Sequence, residues 1–161
     1  MSAALENYKA DNAIYPRDLT PNTATDKLDA RTMKDSANVN AASYKLAGLV
    51  LYRAVSGDRD LNRAVDSTDE GLNIDGSSLT PALTQLPKTY FGPKPNQLSP
   101  TDQTQLVQYL RDPFGNPYGY STAYQYDVDT NVSPPTHGYN PTFDLWSTAN
   151  SSNDAQWIKN W

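Results

Sequence analysis

The chain contains no cysteine. Disulfides, thiolate nucleophiles and cysteine-ligated zinc are therefore excluded, while the redox compartment stays open, since cysteine-free proteins occur on both sides of a membrane. Histidine is nearly absent, with one residue, His137, inside the loop-like stretch "SPPTHGYNP". It reads as a surface loop residue rather than a general base. Positive charge is also scarce. Thirteen Lys and Arg face eighteen Asp and Glu, for a formal net charge of −5, and no basic stripe appears, so a nucleic-acid partner is excluded.

Long apolar runs are missing as well. Nothing approaches the roughly 18 consecutive apolar residues that span a bilayer. The best stretch, "AASYKLAGLVLYRAV", is shorter and carries Lys45 and Arg53. No signal-peptide pattern is present. G-x-S-x-G, H-E-x-x-H and glycine-rich phosphate loops are absent. Asp127 and Asp129 make no glycosidase pair on sequence alone, because nothing sets their separation. The sequence predicts a protein that is not an enzyme and needs no cofactor.

What is present fits one domain, 1–161, of 161 residues and 37% hydrophobic composition, long enough to bury a core. Twelve prolines and eight glycines imply long loops. Residues 2–13 read as a helix with Ala4, Leu5 and Tyr8 on one face, closed by "Ile14-Tyr15-Pro16" because the residue before proline avoids the α region. Residues 17–39 read as polar loop. A second helix is predicted over Ala41–Ser56, with Asn40 as N-cap and Gly57 as its stop. Its stripes Leu46/Leu49/Val50 and Tyr44/Ala47/Leu51/Val55 imply burial on more than one side. Residues 58–98 read as a long polar segment with short pieces of structure.

A third helix is predicted from "SPTDQTQLVQYL", with Ser99 as cap, Pro100 at its first position and Leu106, Val107 and Leu110 as its apolar face. After the "DPFGNP" turn, Tyr118, Tyr120, Tyr124 and Tyr126 share one parity and predict a strand. "TFDLWST" predicts another, with Phe143 and Leu145 on one face and Asp144 and Trp146 on the other. Helices first and strands afterwards give an α+β domain with a small antiparallel sheet in 112–161. The tyrosines and Trp146, Trp157 and Trp161 read as packing groups.

One acidic constellation stands out. "DRDLNRAVDSTD" puts Asp58, Asp60, Asn62, Asp66 and Asp69 at loop positions 1, 3, 5, 9 and 12, directly after a predicted helix. That is the oxygen spacing of an EF-hand calcium loop, although position 6 is Arg63 rather than Gly and position 12 is Asp rather than Glu; acid-rich polar loops also give such spacing by chance, so a solvated loop is the first reading and calcium the second. "DVDTN" at 127–131 starts the same way but runs into Pro134 and Pro135.

The chain also resembles a family. "ALENYKADNAIYP", ending in Tyr15 and Pro16, is similar to the end of the long N-terminal helix of type II secretion pseudopilins. "DPFGNPYGY", with Asp112, Pro113, Gly115, Asn116, Pro117 and Tyr118, resembles their turn into the sheet. "FDLWS", with Asp144, Leu145 and Trp146, resembles their last strand, and "IKNW", with Asn160 and Trp161, their closing Asn-Trp. The residue types suit such a turn: Pro113 fixes φ, Gly115 accepts a positive φ, Asn116 bonds local backbone and Pro117 ends the turn.

The resemblance implies a type IV pilin-like fold whose N-terminal helix, of which 1–15 is the end, packs on the sheet. It implies a truncated, membrane-inserted hydrophobic half of that helix, with cleavage, methylation and a conserved glutamate upstream of Met1. The implied role is a filament subunit held in the inner membrane of a Gram-negative-type envelope, with its domain in the periplasm. Its partners would be other pseudopilin subunits and the secretion machinery. A pilin-like surface module that binds a carbohydrate or protein is the alternative. The 58–98 segment reads as an insertion.

Many major pseudopilins bind calcium before the closing Asn-Trp, through an Ala-Asp-Gly segment and paired acids. Here Asn150 and Trp157 stand at those positions and only Asp154 remains, too few oxygens for a hard cation. The expectation is that Trp157 packing holds this loop instead.

Overall fold

The structure, a computed structural model, describes residues 1–32 and 42–161. The Asn40 cap and Ala41 lie outside the described residues. Helix α1 spans Ser2–Asn12 and buries Ala4, Leu5 and Tyr8, the face its periodicity predicts, before Ala13 leaves it in a left-handed conformation at φ 65°. Helix α3, Ala42–Ser56, is the hub of the core. Its Leu51 and Val55 pack with Leu5, Tyr120, Phe143 and Leu145. Tyr44 and Ala47 meet Trp146 and Trp157, Val50 and Ala54 meet Tyr8 and Ile74, and Tyr52 meets Leu98, Val107 and Leu110. A helix apolar around most of its girth has to be wrapped in this way. Leu46 is the exception within its predicted stripe, at 55% exposed.

The main sheet is antiparallel, in the order β3 (Gly119–Ser121), β4 (Asp144–Ser147), β5 (Ile158–Lys159). Tyr120 pairs with Leu145, and Trp146 pairs with Lys159. Both faces of β4 are buried. Phe143 and Leu145 face α1 and the end of α3, and Trp146 faces Tyr44 on the other side. Strand parity had predicted this split. A Cβ on Gly119 would fall 2.0 Å from the Trp146 ring, so only glycine lets the indole lie across β3. Helices and small antiparallel sheets together make an α+β domain.

Three predicted elements are corrected. Residues 99–110 form no helix: β1 (Leu98–Ser99) pairs antiparallel with β2 (Tyr109–Leu110). The connection is taken by Asp102, which accepts from the Thr104 amide at 3.0 Å and the Gln105 side chain at 2.9 Å. Such local side-chain bonding competes with helix. Leu106, expected on an apolar face, is 60% exposed.

The tyrosine strand also stops early, at Ser121. Thr122 is drawn to Thr25, its amide bonding that carbonyl at 2.9 Å, and the chain turns into helix α4, Ala123–Asp129, which carries Tyr124 and Tyr126. Within 17–39, read as loop, helix α2 spans Ala24–Lys27. Arg17 organises it by clasping the buried Asp26 through Nε at 2.8 Å and Nη2 at 3.1 Å.

The long polar segment has a defined base. Tyr90 and Phe91 amides both donate to the Val55 carbonyl at 2.8 Å, and the Thr89 hydroxyl donates to Ser56 at 2.7 Å. The chain thus leaves α3 at Gly57, φ 86°, and returns at 87–91 to satisfy the carbonyls at the same helix end.

Candidate functional site

The residues that carry the resemblance are partners of one another, with β4 at their centre. Asp112 is buried, and its Oδ1 accepts from the Phe114 amide at 2.9 Å and the Asn116 amide at 2.8 Å. Its Oδ2 accepts from the Ser147 hydroxyl on β4. Gly115 takes φ 93°, and Asn116 Nδ2 reaches Asn150 Oδ1 at 2.8 Å. The turn is thereby bolted to β4 and to the loop behind it. Pro113 lies exposed on its outside, and Pro117 is buried where the turn enters Tyr118.

Asn160 continues this edge with its side chain. Its Oδ1 accepts from the Leu145 amide at 2.9 Å, and its Nδ2 donates to the Phe143 carbonyl at 3.1 Å. Trp161 then packs edge-on to Trp146 at 5.7 Å and stacks on Tyr139 at 4.9 Å. At the other end, Tyr15 meets Phe143 edge-on at 4.9 Å, and the Pro16 carbonyl accepts from the buried Tyr120 hydroxyl at 2.8 Å. Asp144 accepts from the amides of Tyr139 at 2.8 Å and Asn140 at 3.0 Å. Burial pushes its carboxyl upward against those bonds. In the closing loop, Trp157 stacks on Trp146 at 6.3 Å and donates its indole N–H to Ser151 at 2.9 Å, which is the packing expected there.

The acidic loop is of another kind. Oxygens of Asp58, Asp60 and Asp69 lie within 4.8 Å of one another. Asp69 curls back so that its carboxylate receives the amides of Arg59, Asp60 at 3.0 Å and Asp66 at 2.9 Å. Asp66 is not among these three. Asn62 Nδ2 donates to Asp60 at 3.0 Å, and its contact with Asp66 stretches to 3.4 Å. The Thr68 hydroxyl lies 2.6 Å from Asp60 and 2.7 Å from Asp66. Burial raises the Asp58 carboxyl, with hydrogen bonds from Tyr52 and the Arg63 amide acting against it. Asp60 and Asp69 add to the rise.

Other polar contacts had no signal in the sequence. Tyr52, on the last turns of α3, donates its hydroxyl to Asp58 at 2.6 Å. His137, read as a surface residue, is half exposed, yet its Nδ1 lies 2.8 Å from the buried Asp127. Burial works against the Asp127 charge, but His137 and Thr136 outweigh it and hold the carboxyl down at about 2. Asp129 pairs with Arg17, so Asp127 and Asp129 serve separate partners. No protein-family model, characterised relative or solved structure matches the chain.

Proposed function

We propose that this chain is the periplasmic domain of a type II secretion pseudopilin, with a type IV pilin-like fold, and that its work is structural: assembly into a filament that supports protein export. One observation carries the reading. The segments that bear the resemblance lie far apart in sequence, yet residues 143–147, Phe143 and strand β4, are a direct partner of the other three, through Tyr15 on Phe143, Asp112 on Ser147 and Asn160 with Trp161 on Leu145 and Trp146.

Each motif residue then has a physical task. Asp112 closes the turn, Gly115 supplies its positive φ, Asn160 substitutes for strand backbone and Trp161 covers the indole of Trp146. Helix α1 lies on the Phe143/Leu145 side of the sheet through Leu5.

The test is genetic. Deleting the gene from the bacterium that makes it should leave the exported proteins of the secretion machine in the periplasm. The full-length gene should restore export, and a version carrying Asp112→Ala should not. Unchanged export after deletion would sink the reading in favour of a pilin-like binding module.

A further inference from the structure

The loop from Asp58 to Asp69 carries a charge problem that its own side chains leave unsolved. Asp58 is 2% exposed and Asp69 0%, and both converge with Asp60. Among the described residues, no Lys or Arg forms a salt bridge with Asp58, Asp60, Asp66 or Asp69. The two arginines within the loop turn elsewhere. Arg59 Nη1 donates to the Leu72 carbonyl, and Arg63 donates to the carbonyls of Gln105 at 2.8 Å and Pro100 at 2.7 Å. Buried carboxylates need a counter-charge or a full set of donors; Asp69 receives three backbone amides, and Asp58 is the one left short.

A second observation is independent of the clustering. Asp58 Oδ2 is occupied by the Tyr52 hydroxyl at 2.6 Å and the Arg63 amide at 2.8 Å. Asp58 Oδ1, equally buried, has no hydrogen-bond partner among the described residues. Nearly all buried polar atoms are partnered. Here an open carboxylate oxygen belongs to a side chain turned into a group of carboxylates, where a cation completes it and another acceptor cannot.

We propose that Asp58, Asp60, Asn62, Asp66 and Asp69 hold one divalent cation, calcium, which fastens the end of α3 to the turn at Asp69–Gly71. The donors are all oxygen, which selects a hard ion over zinc or copper. A loop able to offer several carboxylates and a main-chain carbonyl suits the six to eight ligands of calcium better than the strict octahedron of magnesium. Position 7 of such a loop gives its carbonyl, here from Ala64. Position 6, normally glycine, is Arg63, which adopts φ 77° and so makes the bend that glycine usually makes. Asn62 and Thr68, which now bridge Asp60 and Asp66, are the neutral groups that the ion displaces or joins. The site is separate from the closing-loop position around Asn150 and Asp154, and the inference does not rest on the secretion reading.

The experiment is a thermal melt of chelator-treated protein with calcium or magnesium added back, together with titration calorimetry. Calcium at a hundredfold excess over Kd should raise Tm by roughly 5–10 °C, and magnesium at the same concentration by much less. The double variant Asp60→Asn/Asp66→Asn, which leaves Asp58 and Asp69 intact, should bind calcium roughly tenfold or more weakly. Terbium offers a readout on the unaltered protein: its emission excited through tyrosine should appear, fall in Tyr52→Phe and be quenched by competing calcium. No heat and no Tm shift up to about 5 mM calcium, beyond the weakest range of such loops, would overturn the proposal. So would full affinity in the double variant, an equal response to magnesium, or no sensitised terbium emission, the last holding even if the double variant does not fold.

Discussion

Asp112 and Asp58 are both buried aspartates that begin a loop just after a regular element, and they differ in what surrounds their oxygens. Around Asp112 the turn supplies two amides and β4 a hydroxyl, so both oxygens are satisfied within the protein. Around Asp58, whose carboxylate meets two more, one oxygen is satisfied and the other has no partner among the described residues. The first carboxylate is spent on building its own turn. The second has capacity left over, and a buried group with capacity left over points to something outside the chain.

Substitutions can break this comparison. The largest effect is expected at the centre of the sheet end, where Trp146 is shared by Tyr44, Trp157 and Trp161. Trp146→Ala should cost about 3–5 kcal/mol in urea unfolding. Asp112→Ala strands the Phe114 and Asn116 amides and the Ser147 hydroxyl, and should cost about 2–3 kcal/mol. A loss under about 1 kcal/mol would erase the distinction, because the turn would then not depend on its carboxylate. Asp60→Ala, measured in chelator, should change stability by less than about 1 kcal/mol. A larger loss would mean that the acidic loop, like the sheet end, is held by its own hydrogen bonds.

The smallest expected effect concerns acid. Asp127 is held at about 2 against an ordinary value of 3.8, so its ionised form favours the folded state. That contribution is complete above about pH 4 and drains away as pH falls toward 2. The Tm difference between the natural protein and His137→Ala should therefore narrow over that window. A gap that stays constant down to pH 2 would show that the His137 contact contributes through packing alone.

Much of the molecule was legible in its residues. The buried face of α1, the end of α3 at Ser56, the turn at 112–117 and the two faces of β4 were read correctly because each depends on periodicity or on proline and glycine within a few residues. Helix was misread over 99–110, and strand over 122–126. In both places a local or distant partner, Asp102 in one and Thr25 in the other, captures the backbone and redirects it. The spacing of the acidic residues was visible as well. What spacing does not contain is the return of Asp69 onto the amides of Arg59 and Asp60, or the Tyr52 hydroxyl that occupies only one oxygen of Asp58.

By itself, then, the sequence determined the local preferences: which residues form α1 and α3, where the chain must turn, and which oxygens stand at metal-loop spacing. The tertiary structure alone decided which buried polar atoms are completed and which stay open, because hydrogen-bond partners are chosen by proximity across the fold and not by distance along the chain.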